Sequence, residues 1–389
     1  MEGDFIKINE WLLPLSWLYG LGIGFRNFLF EIGLLKSRSF SVPVISVGNI
    51  TVGGTGKTPH VEYLIQLLKG QQQVAVLSRG YKRKTRGFVI AQKDSTALEV
   101  GDEPLQMKKK FPEVTVAVDC HRVNGIESLM AHNKQLGVIL LDDAFQHRYV
   151  KPGINILLVD YHRLIIYDKL LPAGRMREPL KGKDRADIVI ITKCPKDLKP
   201  MEYRVITKAM NLYPYQHLFF TTLTYDALQP LYNNKGTRGL DSLQADEHVM
   251  LLTGIASPKQ MEVDLKPYTQ HIHPLTFGDH HHFTEKDVKR INESFASLPS
   301  PKCIITTEKD ATRLEAIDTL SEEVKEHLYV LPVKIAFMLE QEEMFNENII
   351  GYVQKNSRNS ILVKRKNDHN SEDSHHTGDR TRTISFRNN

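Results

Sequence analysis

Residues 42–58 read V-P-V-I-S-V-G-N-I-T-V-G-G-T-G-K-T, and this stretch decides the fold of the chain. Its apolar run Val42–Val47 predicts a short buried strand. The strand leads into the glycine-rich turn Gly48–Thr58, and the apolar spacing of residues 60–68 predicts a helix that Gly70 ends. A strand, a glycine-rich turn ending in Lys-Thr, and a helix form the context that a phosphate-binding loop requires.

The chemistry of this turn predicts a nucleotide site. Glycines let successive backbone N–H groups face phosphate oxygens, and the helix N-terminus adds the positive end of its dipole. Lys57 is expected to reach the β- and γ-phosphates, and the Thr58 hydroxyl to bind Mg²⁺. The spacing fits the variant G-G-x-G-K-T, because the longer form of the motif would need a glycine at Thr51. The predicted nucleotide-binding residues are Thr51, Val52, Gly53, Gly54, Thr55, Gly56, Lys57 and Thr58.

A glycine-rich turn that binds no nucleotide is the alternative interpretation, and an acidic pair elsewhere argues against it. A nucleotide site of this kind needs an acidic residue at the end of a second strand. The apolar run Val138–Leu141 predicts such a strand, and Asp142 and Asp143 follow it directly. One of these carboxylates can hold Mg²⁺ directly or through water, and the sequence does not distinguish between them.

Strand-like runs alternate with helical stretches along the chain. The first runs are Val42–Val47, Val74–Leu77, Val114–Val118, Val138–Leu141, Ile154–Val159 and Ile188–Ile191. This alternation predicts an α/β fold, a P-loop NTPase-like, doubly wound and mostly parallel sheet with helices on both faces. A second, smaller α/β unit is predicted from the apolar runs Leu218–Leu223, Val249–Leu252, Cys303–Thr306 and Tyr329–Val333.

The predicted organisation has four parts. Residues 1–38 form a hydrophobic segment that associates with a membrane, and residues 39–215 form the P-loop core. Residues 216–355 form the C-terminal α/β unit that completes the active site. Residues 356–389 are rich in Asn, Ser, His and Arg and poor in large apolar residues, so this tail is expected to be disordered.

The composition excludes several classes of protein. With 41% hydrophobic and 25% charged residues, the chain is not collagen-like, coiled-coil, polytopic in a membrane or wholly disordered. Its 3 cysteines form no C-x-x-C pair, which argues against a disulfide framework and a cysteine zinc site. The 51 basic residues against 46 acidic ones give no indication of nucleic acid, but they are compatible with phosphates or acidic lipids as partners.

The N-terminal segment is unusually apolar. Trp11–Phe25 carries no charge, and the apolar character continues beyond Arg26 and Glu31. A membrane-spanning helix needs about 20 predominantly apolar residues, and this run is shorter and interrupted. An interfacial helix with aromatic anchors, flanked by Lys36 and Arg38, fits better than a span. The alternative is a core helix that packs on the following domain.

An ordered series of motifs links the phosphate-binding loop to a known family. After V-P-V-I-S-V-G-N-I-T-V-G-G-T-G-K-T-P come L-S-R-G-Y at 77–81, G-D-E-P at 101–104, L-D-D-A-F-Q-H-R at 141–148, L-P-A-G-R-M-R-E-P at 171–179, F-G-D-H-H at 277–281 and T-T-E-K-D at 306–310. The series resembles the tetraacyldisaccharide 4′-kinase family of the lipid A pathway in Gram-negative bacteria, over roughly residues 10–350. One departure is Ala144, where the family usually has glycine; this matters if the position needs a positive φ.

The resemblance implies a specific activity. It implies transfer of the γ-phosphoryl group of ATP, with Mg²⁺, to the 4′-hydroxyl of tetraacyldisaccharide 1-phosphate. It also implies a peripheral or monotopic enzyme at the cytoplasmic face of the bacterial inner membrane. The partners are then the glycolipid and the membrane surface, without nucleic acid, and no obligate protein partner is inferred.

The resemblance also assigns roles to residues outside the loop. Asp102 matches the family's catalytic base, although carboxylates just before a helix are ordinary capping residues. His280 is expected to pair with that base, and His281 is the fallback because the register of a histidine run is easily misread. The resemblance further implies that Glu178 helps to place Mg²⁺ or the acceptor. The alternative interpretation is that His280 and His281 belong to a polar loop before a helix and have no catalytic role.

Basic residues form a second set of candidates. Arg175 and Arg177 lie in a proline-bounded loop, where they can bind transferring phosphates or form surface salt bridges. The loop S-R-G-Y-K-R-K-T-R-G can contact the acceptor phosphate or lipid headgroups, or simply be a solvated surface. Its basic residues are Arg79, Lys82, Arg83, Lys84 and Arg86.

Two other functions share the same loop. A P-loop ATPase or GTPase that drives a partner protein would need neither the Asp102–His280 pair nor a membrane-binding N-terminus. A membrane adaptor that nucleotide merely regulates would need no acceptor chemistry. ATP consumption with and without a glycolipid acceptor distinguishes these three functions.

Overall fold

The structure, a computed structural model, describes residues 6, 8–232, 236–255, 258–279, 281–315 and 317–373, with the backbone alone for 358–373. Within these residues the strands form one sheet of nine strands and one of five. The predicted α/β fold with a large, mostly parallel sheet and a smaller second unit is confirmed.

The larger sheet is built around the strand that precedes the glycine-rich turn. In spatial order its strands are β14 (Val333–Phe337), β8 (His217–Tyr225), β7 (Ile188–Thr192), β6 (Ile154–Asp160), β1 (Val44–Gly48), β5 (Val138–Asp142), β2 (Val74–Ser78), β4 (Thr115–Val118) and β3 (Val89–Ile90). The edge strands β14 and β3 run antiparallel to their neighbours, and the strands between them are parallel. All residues of β1 are buried, as expected for a parallel strand covered on both faces.

Helices cover both faces of this sheet. They are α1 (Leu13–Glu31), α2 (Lys57–Leu68), α3 (Ala97–Val100), α4 (Asp102–Lys110), α5 (Arg122–His132), α6 (Pro200–Met210) and α11 (Glu342–Asp373). Ile45 and Val47 of β1 pack in one hydrophobic cluster with residues of α2, α4 and α11. Val44 belongs to another cluster with residues of α5. Because side chains alternate along a strand, these clusters lie on opposite faces of the sheet.

The smaller unit has its own sheet and helices. In spatial order its strands are β11 (His271–Thr276), β10 (His248–Thr253), β12 (Lys302–Thr307), β13 (Leu328–Leu331) and β9 (Gln229–Pro230). The short strand β9 is antiparallel to β13, and the others are parallel. The helices of the unit are α7 (Lys259–Leu265), α8 (Glu285–Ala296), α9 (Glu308–Leu314) and α10 (Glu322–His327).

The predicted boundary at residue 216 is wrong. Strands β8 and β14 pair with each other at one edge of the larger sheet, so the smaller unit is an insertion between them. Phe345 of α11 also packs in the core of the larger sheet. An apolar run predicts a strand but carries no information about the sheet that the strand joins, which is why the boundary was misplaced.

The C-terminal helix differs from the expected disordered tail. α11 continues to Asp373, well beyond the expected start of the tail at residue 356, and residues 374–389 lie outside the described part of the chain. Neither glycine nor proline occurs between Asn356 and Asp373. A helix that is already nucleated by packing can therefore propagate through this polar stretch.

Helix α1 has one face against the larger sheet unit and one face exposed. The Ser16 hydroxyl donates to the Leu170 carbonyl over 3.0 Å and accepts from the Ala173 N–H over 3.0 Å. On the other face Trp17 is 70% exposed and Phe25 is 65% exposed. No helix in the described ranges has the length and apolar character needed to cross a membrane.

The close approach of β1 to the segment after β5 requires a glycine. A Cβ at Gly48 would lie 2.7 Å from the Phe145 backbone nitrogen, so Gly48→Ala is expected to lower the free energy of unfolding by roughly 1–3 kcal/mol. Urea unfolding followed by circular dichroism measures this. Gly22→Ala in α1 is the matched control, since a Cβ there meets nothing within 4 Å. Equal stabilities of the two variants would contradict the steric argument.

Candidate active site

The glycine-rich turn links the end of β1 to the start of α2, as the sequence predicts. Gly56 precedes the first residue of α2 and has φ +79°, and Gly53 has φ +116°. Residues that carry a Cβ atom rarely adopt these positive φ values, so glycine is needed at both positions. Lys57 and Thr58 then fall in the first turn of α2, where the helix dipole favours a phosphate.

Side chains at the end of β7 donate hydrogen bonds to the carbonyl groups of this turn. The Thr192 hydroxyl donates to the Thr55 carbonyl over 3.0 Å, and the Lys193 ammonium donates to the Gly54 carbonyl. Lys193 has φ +57° and also pairs with Asp160 over 2.8 Å. Holding the carbonyls on this side leaves the N–H groups of the turn for an anion. Lys193 was not predicted from the sequence, although its position directly after a buried strand was an available signal.

A buried histidine fixes the junction between the turn and α2. The Nδ1 of His60 lies 2.7 Å from the Gly56 carbonyl, and its Nε2 lies 3.1 Å from the Thr221 hydroxyl oxygen. Because a carbonyl can only accept, Nδ1 carries the hydrogen and Nε2 accepts from Thr221. Burial lowers the pKa of His60 to about 4, against the opposing effect of its hydrogen bond to Gly56. The ring is therefore neutral at pH 7.

Parallel pairing brings the acidic pair beside the turn. Asp142 is fully buried, and one carboxylate oxygen accepts from the Ser78 hydroxyl over 2.9 Å. Its other oxygen, Oδ1, has no hydrogen-bond partner among the described residues. Burial, with the charges of Glu103 and Asp143, raises the pKa of Asp142 to about 7. A buried carboxylate oxygen that lacks a partner fits a hard cation such as Mg²⁺.

Asp143 is the member of the pair that faces the cations of the site. Its Oδ1 lies 3.7 Å from the Lys57 ammonium and 3.6 Å from the Arg177 guanidinium. Burial alone would raise the pKa of Asp143, but the charges of Lys57, Arg177 and Arg122 outweigh it and lower the pKa. Lys57 and the acidic pair Asp142 and Asp143 thus meet at one edge of the sheet.

The 175–177 segment pairs with the glycine-rich turn. The Arg177 N–H donates to the Ile50 carbonyl over 2.7 Å, and the Val52 N–H donates to the Arg175 carbonyl over 2.8 Å. The Arg177 guanidinium also donates to the Thr51 carbonyl over 3.0 Å. Arg177 is therefore held against the glycine-rich turn, whereas the Arg175 side chain is exposed.

Glu178 is buried, and its carboxylate pairs with Arg185 over 2.7 Å. Glu178 lines a cavity of about 550 Å³ between α1, the start of α5 and the segments 146–149 and 177–178. Tyr19, Arg26, His121, Arg122, His147 and Arg177 also line this cavity. The role of Glu178 in placing Mg²⁺ or the acceptor stays a prediction.

Asp102 begins α4 and is paired across the two units. Arg313 of α9 donates to its carboxylate and also pairs with Asp310 over 3.1 Å. His280 lies outside the described residues. The fallback, His281, is hydrogen-bonded to Asp287 over 2.9 Å beside the capping box that Thr284 and Asp287 form at α8. Arg313 was not predicted from the sequence, although it lies only three residues after the T-T-E-K-D motif.

A buried ionic cluster joins the phosphate-loop helix, α4 and the smaller unit. The Lys110 ammonium lies 2.6 Å from Glu62 of α2 and 2.7 Å from Glu308 of α9. Burial and the charge of Glu308 raise the pKa of Glu62 to about 7, which Lys110 partly offsets. The smaller unit therefore contacts both ends of α4, at Asp102 through Arg313 and at Lys110 through Glu308.

The basic loop 79–86 divides into two kinds of residue. Arg83 turns inward and donates to the Gly87 carbonyl and, over 3.3 Å, to the Val118 carbonyl. The exposed residues are Arg79, Lys82, Lys84 and Arg86. Contact of these four with acceptor or lipid stays a prediction.

A family model described as tetraacyldisaccharide-1-P 4′-kinase matches residues 8–354. The chain belongs to this family. The tetraacyldisaccharide 4′-kinase of Phocaeicola vulgatus is 59% identical over 92% of this chain and 99% of that protein. The enzyme of the same name from Bacteroides thetaiotaomicron is 54% identical over 95% of this chain and 100% of that protein.

A solved structure agrees with the family assignment. The crystal structure of LpxK from Aquifex aeolicus in complex with ATP superposes with a TM-score of 0.68 at 31% sequence identity. The match covers 88% of this chain and 98% of that one. The predicted resemblance, fold class and kinase class are confirmed.

Ala144, where the tetraacyldisaccharide 4′-kinase family usually has glycine, is compatible with the backbone conformation at that position. The residue in the left-handed region is Asp143, with φ +46°, and Ala144 is not among the residues with positive φ. Ala144 is buried, and its N–H donates to the Val47 carbonyl over 3.2 Å. An added methyl group at this position therefore causes no backbone strain.

The raised pKa of Asp142 predicts a pH-dependent cost to stability. Between the ordinary value of 3.8 and about 7, the unfolded chain loses the proton while the folded chain keeps it, so stability falls as pH rises. Asp142→Asn removes this titration. The free energy of unfolding of Asp142→Asn minus that of the wild type is therefore expected to increase from pH 4 to pH 7 and to stay constant above pH 8. Urea unfolding without nucleotide or metal measures this difference.

The matched control is Asp197→Asn, which removes an exposed carboxylate. Its difference from wild type is expected to vary little over the same pH range. A pH-independent difference for Asp142→Asn would show that the carboxyl ionises normally in the folded protein.

Proposed function

We propose that this protein transfers the γ-phosphoryl group of ATP to the 4′-hydroxyl of tetraacyldisaccharide 1-phosphate. Membership of the kinase family carries the reaction class. The observation on this chain that carries the site is the meeting of Lys57, Asp142 and Asp143 at the end of β1. Phosphoryl transfer depends mainly on positioning and charge stabilisation, and this edge supplies both.

The nucleotide binds through the turn between β1 and α2. The N–H groups of Gly53–Gly56 bind the phosphates, and Lys57 stabilises the charge on the transferring group. Thr58, Asp142 and Asp143 would hold Mg²⁺, which would supply neutralisation of the phosphate charge. The partnerless Oδ1 of Asp142 supports this assignment.

The acceptor hydroxyl is oriented by Asp102. A sugar alcohol needs a carboxylate within hydrogen-bond reach to take its proton as the new bond forms. Arg313 contacts Asp102 from the smaller unit and so fixes the direction of that carboxylate. His280 is proposed to share this task, as the family resemblance implies.

The cavity beneath α1 is the proposed acceptor site. It adjoins the phosphate loop at Arg177 and opens beside Tyr19, Ile23 and Arg26 of α1. The arginines suit a phosphorylated sugar, and the neighbouring apolar face of α1 suits acyl chains that remain in a membrane.

Mass spectrometry of the acceptor after incubation with Mg-ATP tests this function. A mass increase of one phosphate is expected with wild type, and Lys57→Ala is expected to reduce turnover by at least about 100-fold. Lys208→Ala, a change on the exposed face of α6, is the control and should react normally. ATP hydrolysis without a phosphorylated lipid would favour the ATPase alternative, and nucleotide binding without turnover the adaptor.

We further propose that α1 lies on the cytoplasmic face of the inner membrane. Its exposed face carries large apolar side chains, listed by exposure as Trp17 (70%), Leu21 (70%), Leu18 (66%) and Phe25 (65%). Trp11, in the short turn Glu10–Leu12 that precedes α1, is 93% exposed. Apolar residues of this size at a helix surface insert into the headgroup region of a bilayer.

Replacing apolar residues of α1 by polar ones should release the protein from lipid. Trp17→Gln combined with Leu21→Gln is expected to reduce binding to vesicles several-fold in flotation, because both side chains are exposed in the folded protein. Met201→Gln, at an exposed apolar position on α6, is the matched control. Unchanged vesicle binding by the double variant would contradict an interfacial role for α1.

A further inference from the structure

We propose that a second cavity, next to the acceptor cavity, binds the phosphate that the acceptor already carries on its reducing sugar; the inference rests on the proposed function. This cavity has a volume of about 310 Å³ and lies between the larger sheet and the segment that follows β5. His147 lines both cavities. Its lining includes Ser46, Arg148, Lys151, Asn155, Arg185 and Asp187.

The sheet register builds the floor of this cavity. Ser46 of β1 pairs with Leu141 of β5 on one side and with Asn155 of β6 on the other, so the three side chains share one face. Asp187 continues the row, because its carboxylate accepts from the Asn155 N–H over 2.8 Å. The floor is therefore part of the rigid sheet, which holds a ligand better than a loop does.

Two polar groups of the floor lack partners. Ser46 is 1% exposed and Asn155 is 8% exposed. The Oγ of Ser46 and the Oδ1 of Asn155 have no hydrogen-bond partner among the described residues. The Asn155 amide nitrogen donates to the Arg185 carbonyl over 3.1 Å, which leaves Oδ1 as an acceptor. Buried polar atoms of this kind are normally satisfied by water or by a ligand, here by sugar hydroxyls.

The walls carry positive charge in excess. Neither Arg148 nor Lys151 has a carboxylate within 4.0 Å in the described part of the chain, whereas Arg185 is paired with Glu178. Burial and the charges of Arg185 and Arg26 lower the pKa of Arg148. Burial, with the charges of Arg122 and Arg79, lowers the pKa of His147 to about 4. A phosphate would relieve this repulsion and accept charge-assisted hydrogen bonds from Arg148 and Lys151.

The position of the cavity matches the shape of the acceptor. Gly48 ends β1 at the phosphate loop, and Ser46 lies two residues earlier on the same face. At about 3.3 Å per residue, the floor lies about 7 Å from the strand end. A disaccharide can bridge this separation with its reacting hydroxyl at one end and its phosphate at the other. Cations beside partnerless polar groups suit a phosphorylated sugar, whose phosphate binds the cations and whose hydroxyls bind the polar groups.

The test compares two acceptors, the tetraacyldisaccharide with and without its 1-phosphate, in non-ionic detergent with Mg-ATP. The measured quantity is the ratio of kcat/KM for the phosphorylated acceptor to kcat/KM for the other. Arg148→Gln is expected to lower this ratio about tenfold, the effect of one charge-assisted hydrogen bond. Arg148 also donates to the Asn27 carbonyl of α1 over 3.1 Å, so its replacement could disturb α1. Lys151→Gln therefore provides a second variant at an exposed position, and it is expected to lower the ratio several-fold.

Lys208→Gln, on the exposed face of α6, is the control and should leave the ratio unchanged. A ratio that stays at the wild-type value in both cavity variants would overturn the inference, as would a wild-type enzyme that does not discriminate between the acceptors. A loss that is equal for both acceptors and appears only on anionic vesicles would assign these cations to lipid headgroups instead. Failure to phosphorylate either acceptor would refute the proposed function itself, which keeps the two claims distinguishable.

Discussion

The parallel pairing of β1 with β5 is the constraint on which the site depends. The register places Val47 of β1 opposite Asp142 of β5, so the glycine-rich turn and the acidic pair leave the sheet at the same edge. Gly48 permits the close approach of the two strand ends, since a Cβ there would meet the Phe145 backbone. Lys57 and Asp143 can then interact across the edge. A slip of one residue would turn these side chains to the opposite face.

The site buries carboxyl groups at positions where desolvation opposes their charged forms. Asp142 and Glu62 are both buried, and burial raises the pKa of each to about 7. Buried charges are weak contributors to stability, since desolvation can exceed the attraction between them. The proposed Mg²⁺ would offset the charge of Asp142, and Lys110 offsets that of Glu62. The Lys110 cluster spans α2, α4 and α9, and so it relates the phosphate loop to the smaller unit.

The same physical trade-off explains the N-terminal helix. A soluble protein rarely exposes a contiguous group of large apolar residues, yet α1 exposes tryptophan, leucine and phenylalanine along one face. Its other face is held by a few polar contacts, such as those of Ser16 with Leu170 and Ala173. These contacts help to place the helix beside the cavity that we propose as the acceptor site, and its exposed apolar face is the one that we propose to contact lipid.

The sequence by itself determined the phosphate loop, the acidic pair and the α/β class, because each rests on local patterns: glycine spacing, apolar runs and the residues that follow them. It did not determine the sheet to which β8 belongs, and the predicted boundary at residue 216 was wrong for that reason. Nor could it find Arg313, Lys110 or Lys193, whose partners lie far away in the chain. Long-range pairing depends on strand order and helix packing, and only the tertiary structure decides these. For the same reason, only the structure brings Ser46, Asn155 and Arg148 to one cavity.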